Sequence, residues 1–179
     1  MNENDPIEGT FTEVAESQEV QKTYFIFGSE RKIDGFVNIG PGTALEFDPS
    51  DEWPFDDGIA DEIAFHGVLN TLPPQGVIHF IRQAYRILKP FGMIDIIVPV
   101  QSHPEFEGDL FQLSNITEHT FKYFNKGECD NAPLDSYSVK VASLLSTEET
   151  PFSLSTMKHE EFPDSEGRPY VRWMKLVKI

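Results

Sequence analysis

The chain has 179 residues, 39% of them hydrophobic and fifteen of them Phe, which is enough to bury one substantial core and too few for two. Its formal net charge of −16, from 14 Lys and Arg against 30 Asp and Glu, repels phosphate backbones with no basic patch to offset it, so no nucleic-acid partner is expected. No apolar run is long enough for a membrane span and no leader pattern opens the sequence, which reads as cytoplasmic, while the single Cys129 provides neither a disulfide nor a zinc-type Cys pair.

Residues 1–22 hold six acidic side chains and one lysine, with apolar residues too sparse to define a helical or strand face, and read as an acidic arm ahead of one domain over 23–179. Three short apolar runs follow: Tyr24-Phe25-Ile26-Phe27, Phe36-Val37-Asn38-Ile39 and Ala44-Leu45-Glu46-Phe47. Each ends at Gly, Pro or Asp, as strands do. Asp61 to His66 reads as a fourth strand and Met93 to Val98 as a fifth, both apolar enough for burial in a sheet. Between them, Val77/Ile78, Ile81, Ala84/Tyr85 and Leu88 recur every three or four residues, predicting a helix that opens near Pro74 and is stopped by Pro90 and Gly92.

A shorter helix is expected over Thr117 to Phe124, with Thr117 as its cap, Glu118 and His119 in its first turn, and Phe121 and Phe124 pointing inward. Beyond it the pattern turns to β. Ser136 to Leu145, Phe152 to Lys158 and Tyr170 to Lys178 are extended stretches separated by turn-forming residues, predicting a closing antiparallel portion. The links between the first three strands are shorter than the dozen residues that a parallel crossover normally takes. Either those connections are stripped of helices, or Asp34-Gly35 makes a hairpin and some early strands run antiparallel.

Two segments carry a family pattern. Ala60-Asp61-Glu62-Ile63-Ala64-Phe65-His66-Gly67-Val68-Leu69-Asn70-Thr71-Leu72-Pro73 resembles the "FDxIxxxHVLEHLP" stretch of type 11 S-adenosylmethionine (SAM)-dependent methyltransferases. Ile81-Arg82-Gln83-Ala84-Tyr85-Arg86-Ile87-Leu88-Lys89-Pro90-Phe91-Gly92-Met93-Ile94 resembles that family's "REIYRVLKPGGxL". Trp53 to Asp61 is similar to "LPFPDNSFD", and Gly108 to Phe124 to "GDPTHVRFFTPETFRYF", so the resemblance spans about Tyr24 to Phe124. It implies an α/β, Rossmann-like methyltransferase sheet, truncated and with few helices, joined to the C-terminal antiparallel portion.

The resemblance also implies SAM as cofactor and a small-molecule or macromolecular methyl acceptor. Phe25-Ile26-Phe27-Gly28-Ser29-Glu30 lines up with "LxLGCG", which makes Phe27, Gly28 and Ser29 the expected cofactor turn and places Glu30 where the second glycine belongs. Gly40 stands where the family's ribose-binding acid would be, Asp48 matches an acidic residue near the adenine, and Phe65 and His66 end the fourth strand. Losing the ribose carboxylate removes a charge-assisted hydrogen bond worth about 1.5–3 kcal/mol, roughly tenfold or more in affinity.

Each candidate has a plainer reading. Gly28 can be a strand-ending glycine, Asp48-Pro49-Ser50-Asp51 an ordinary turn, and His66 a structural histidine instead of a base titrating near neutrality. Trp53, Phe55, Phe65 and Phe91 can fill the core instead of walling an adenine, and Glu105, Glu107 and Asp109 can be solvated loop residues instead of an acid-base group. His79, His103, His119 and His159 have no ligand-type spacing, so no metal is expected. No catalytic residue stands out, and methyl transfer, which mostly needs alignment, does not demand one. The departures at Glu30 and Gly40 equally fit a methyltransferase-like fold that has lost its cofactor and serves as a binding or assembly module.

Overall fold

A computed structural model describes residues 22–28, 33–40, 50–125 and 154–179 of the chain. The acidic arm up to residue 21, the run Ala44–Phe47 and the stretch Ser136–Leu145 lie outside them. Strands form where the apolar runs predict them: β1 (Tyr24–Phe27), β2 (Val37–Ile39), β3 (Ala60–His66), β4 (Leu88–Pro99), β5 (Leu154–Pro163) and β6 (Pro169–Lys178). The helix α1 (Pro74–Ile87) separates β3 from β4, a 3₁₀ turn covers Leu69–Thr71, and a 3₁₀ helix covers Glu118–Phe124.

These strands make one mixed sheet in the order β2-β1-β3-β4-β6-β5. The first four are parallel, and β6 lies antiparallel to both β4 and β5. The sheet with few helices and an antiparallel end is therefore present, and the open question at Asp34-Gly35 is answered: β1 and β2 pair in parallel, Phe27 opposite Ile39, so no hairpin joins them.

Period-two alternation sorts the side chains. Phe25 and Phe27 of β1, Ile63 and Phe65 of β3, Ile94, Ile96 and Val98 of β4, and Met174 and Leu176 of β6 enter one core. Onto it α1 lays Val77, Phe80, Ile81, Ala84 and Ile87, one stripe of an amphipathic helix. Trp53 completes an aromatic cluster, stacked on Phe27 at 4.5 Å and edge-on to Phe80 at 5.3 Å, with Phe65 5.3 Å from Phe27. Phe121 and Phe124 point inward, although their helix is 3₁₀ instead of α; the Thr117 N–H donates to Thr120 Oγ1 at 3.0 Å at its start.

Arg86 holds the segment ahead of β3 against α1. Its guanidinium donates to the carbonyls of Trp53 (2.8 Å) and Phe55 (2.7 Å) and to Asp57 Oδ1 (2.7 Å). A planar fork reaches several acceptors in one geometry, which a lysine would not. Lys89 pairs with Asp61 at 2.7 Å, and the Thr23 N–H donates to the same carboxylate at 2.8 Å, fixing where β1 begins beside β3. These donors hold the Asp61 carboxyl below the usual carboxylate range, the Lys89 hydrogen bond first. At the far end of α1, Lys178 Nζ donates to the carbonyls of Tyr85 (2.7 Å) and Leu88 (2.8 Å), capping the helix from β6. Burial pushes this ammonium down.

The boundary between α1 and β4 departs from expectation. Pro90 and Gly92 do not end the helix; it stops at Ile87, Leu88 turns extended, and both residues lie inside β4. Between them Phe91, standing at a glycine position of the resembled motif, adopts φ +63° with its ring 76% exposed. It lies near the start of a parallel strand, opposite the edge where ligands bind in such sheets, so it does not wall a ligand there. Among the described residues no helix is long and apolar enough to cross a membrane.

A left-handed backbone costs a residue with a side chain roughly 1–2 kcal/mol, part of which glycine's larger unfolded-state entropy offsets. Phe91→Gly is therefore expected to raise stability by about 0.5–1 kcal/mol in urea denaturation; a lower midpoint would show that the ring is held by a contact that outweighs the strain.

Candidate functional site

The chain leaves β1 toward β2 on one side and returns to β3 on the other, so the parallel strands change direction of succession at β1. In open α/β sheets the crevice beyond the carboxyl ends of the strands at such a point receives ligands. Here three neighbouring strands end alike, each followed at once by a glycine with positive φ: Gly28 (+83°), Gly40 (+146°) and Gly67 (+67°). Phe27 pairs with both Ile39 and Phe65, so Gly28 and Gly40 stand level and His66 is beside Gly28.

The three glycines differ in what surrounds them. Among the described residues, a Cβ at Gly40 or Gly67 would meet nothing within 4 Å, whereas at Gly28 it would overlap the His66 carbonyl and a Val68 methyl. Gly28 lets β1 pack against the turn after β3. Space beside the main chain is thus found at Gly40 and Gly67, where the Gly67 N–H donates to the Ile97 carbonyl at 2.8 Å.

The expected site residues divide accordingly. Phe27 and Phe65 end their strands at this edge, but both side chains belong to the core. Gly28 sits in the crevice floor, and Ser29 and Asp48 lie outside the described residues. The His66 side chain is on the opposite sheet face, 31% exposed, with Nε2 3.8 Å from Asp95 Oδ1. Asp95 also accepts from Trp173 Nε1 at 2.9 Å and lies 4.0 Å from Lys175, which pairs with Glu62 at 3.2 Å. Burial raises the Asp95 carboxyl and these donors outweigh it, leaving the group lowered. Sequence reading missed this ladder, because its members come from strands whose pairing no local pattern announces.

Asn70, standing where the resembled stretch has Glu, is buried in the 3₁₀ turn beyond Gly67. Its carbonyl accepts from Leu113 N (2.8 Å) and Ser114 N (3.0 Å), and its Nδ2 donates to Gln112 (3.1 Å). Among the described residues its Oδ1 has no hydrogen-bond partner. A buried acceptor left unpaired costs about 1–3 kcal/mol, so this atom suits a donor supplied by a ligand.

The loop after β4 is pinned by His103. The ring is buried, its Nε2 is 2.9 Å from Asp164 Oδ2 in the β5–β6 turn, and its Nδ1 accepts from Glu105 N at 3.2 Å. Tyr170 packs edge-on against it at 5.0 Å. Asp164 also takes the Arg168 guanidinium and the main-chain N–H groups of Glu166 and Arg168. The His103 hydrogen bond first, then these, hold its carboxyl far below the ordinary range. Glu105 and Glu107 are exposed and Asp109 closes its own turn onto Phe111 N at 2.9 Å, so no acid-base group assembles from them.

Beyond this loop, Val100, Gln101, Ser102, Asn115, Thr117 and Arg172 line a cleft of about 270 Å³ between the carboxyl end of β4 and the start of β6. Among the described residues no three His, Cys, Asp or Glu side chains gather to hold a metal.

No protein-family model and no curated protein matches the sequence. Solved structures do match the fold. A candidate sarcosine dimethylglycine methyltransferase from Galdieria sulphuraria is 13% identical over 88% of this chain and 78% of its own, with a TM-score of 0.54. The 1,6-didemethyltoxoflavin N1-methyltransferase of Burkholderia thailandensis, solved with S-adenosylhomocysteine, is 11% identical over 88% and 71%, with a TM-score of 0.51. A SAM-dependent methyltransferase from Methanosarcina mazei is 13% identical over 89% and 93%, with a TM-score of 0.50. The chain has the class I SAM methyltransferase fold.

Two outcomes follow from this geometry. Gly28→Ala combines left-handed strain with overlap onto main chain and is expected to cost about 2–4 kcal/mol, while Gly67→Ala, facing open space, costs only the backbone part, about 1–2 kcal/mol; equal losses in urea denaturation would contradict the difference in packing. Because the Asp164 carboxyl is lowered by folding, its stabilisation is present above the ordinary carboxylate pKa of about 4 and is lost as pH falls through that range. Asp164→Asn should flatten the fall of melting temperature between about pH 5 and pH 2 relative to the parent; parallel curves would count against the pin.

Proposed function

We propose that the chain is a SAM-dependent methyltransferase whose cofactor lies along the glycine edge of β1, β2 and β3, with the acceptor held between the loop after β4 and the start of β6. The observation that carries this reading is the row of positive-φ glycines, Gly28, Gly40 and Gly67, that follow three neighbouring parallel strands at the switch point. Bound SAM would supply a methyl group on a sulfonium, an electrophile that needs an aligned O, N or C nucleophile. The space beside Gly67 and the Asn70 Oδ1, which has no hydrogen-bond partner among the described residues, suit such a ligand. What they lack is a carboxylate at Gly40 for the ribose hydroxyls, so affinity is expected in the micromolar range instead of below it. The net charge of −16 disfavours an anionic acceptor.

A second reading draws on Gly28, whose Cβ position is filled by His66 and Val68. On that reading the crevice is closed to ligand at its centre and the fold serves as a binding or assembly module.

Isothermal titration with SAM and, separately, S-adenosylhomocysteine decides between the two. Micromolar binding of either, weakened about tenfold in Gly67→Ala, is the outcome expected of the enzyme. No heat at millimolar ligand would remove the methyltransferase reading and leave the module.

A further inference from the structure

The cleft between β4 and β6 carries a preference of its own. Its floor is Val100, buried, and the Arg172 side chain, 12% exposed, while Gln101, Ser102 and Asn115 form an exposed rim with Thr117 between. Apart from Val100, every lining side chain is polar, and Arg172 is the one that is charged.

That charge is already balanced. Arg172 Nε and Nη2 both donate to Glu161 Oε1, at 3.0 Å and 2.7 Å, and Nη1 donates to the Ile116 carbonyl at 2.8 Å. An ion pair this close cancels most of the field that either partner would cast into the cleft. Glu118, in the 3₁₀ helix that starts next to Thr117, adds further negative charge on the same side and is itself paired with His159 and His119. A carboxylate or phosphate entering the cleft would thus find a guanidinium already engaged, two glutamates nearby and a strongly acidic protein around it. A cation would likewise find the Glu161 carboxylate already engaged, with the Arg172 side chain lining the cleft.

The remaining groups are dipoles that both donate and accept: two primary amides, Gln101 and Asn115, and two hydroxyls, Ser102 and Thr117. Such a set pairs fully with a group that also has both roles. Its volume of about 270 Å³ is just under the range of about 300–1,000 Å³ that holds drug-sized ligands, so it accommodates one small moiety and not a whole nucleotide.

We infer that this cleft is a binding site for an uncharged amide- or hydroxyl-bearing group, and that the Arg172–Glu161 pair sets its selection against charged ligands. Its role as the acceptor end of a methyl transfer rests on the reading above; its ligand preference does not.

Acetamide, acetate and acetamidinium share one planar shape and differ in charge, so they isolate the selection. Each is titrated into the ¹⁵N-labelled full chain, following the amide signals of Ser102 and Thr117 and the Arg172 Nε–H. Acetamide is expected to shift all three saturably, with acetate and acetamidinium at least about tenfold weaker. In Glu161→Gln the guanidinium regains its net charge, and acetate should overtake acetamide. Acetate binding the parent as well as acetamide does, no probe moving these signals, or an unchanged ranking in Glu161→Gln would each overturn the inference. SAM titrated into the same samples reports on the glycine edge alone: acetamide selection without SAM binding would sink the methyl-transfer reading and leave the cleft's preference standing.

Discussion

Everything in this molecule that places chemistry depends on the packing of Trp53 among Phe27, Phe65 and Phe80. One residue each from β1, β3, α1 and the segment ahead of β3 meet there, so the contact fixes the relative height of two parallel strands and the helix that follows them. Aromatic faces give this contact more area and more directional preference than aliphatic ones would. Arg86 reinforces it from outside by donating to the carbonyls of Trp53 and Phe55 as the segment folds over α1. With those heights fixed, Gly28, Gly40 and His66 come level at one edge, and that edge is where the proposed cofactor would lie.

Much of the scaffold was legible in the sequence, because the rules behind it are local. The three-to-four-residue recurrence from Val77 onward described a real amphipathic helix, and the apolar runs at Tyr24, Asp61 and Met93 were real strands. Where reading failed, a tertiary term outweighed a local one. Pro90 and Gly92 are strong helix stoppers, yet the helix had already ended at Ile87, since Lys178 accepts the role of cap from the far end of the sheet and pairing with β3 takes over at Leu88. The pattern at Phe121 and Phe124 fixed which side faces inward without distinguishing an α from a 3₁₀ helix, because both put residues three apart on one side. The parallel pairing of β1 with β2 was one of two possibilities, and loop length alone did not choose.

The candidate site was legible only as a backbone edge. The resembled motif pointed to Phe27, Gly28, Phe65 and His66, and all four are at the carboxyl ends of their strands, but two of the side chains belong to the core and one glycine serves packing. The residues that give the region its electrostatics, Asp95, Trp173, Arg172 and Glu161, carried no signal. Asp95 and Trp173 hydrogen-bond across 78 residues of chain, and such a pairing exists only once the sheet order is known. The contrast is physical: a motif records which backbone turns are needed, whereas selectivity arises from pairs that tertiary structure brings together.

The position of β6 has a consequence for how the chain reaches this structure. It lies between β4 and β5, although both precede it, so β5 and β6 can pair early through a short turn while β4 must wait for that hairpin to arrive. During the interval β4 presents a twelve-residue unpaired edge rich in Ile and Val, the kind of template on which unfolded chains aggregate. The Glu62, Lys175, Asp95 and His66 ladder then acts as a check on docking, since a slip of one residue would turn Lys175 into the core and strand two carboxylates. Docking of this ten-residue strand thus covers the apolar edge of β4 as well as completing the sheet.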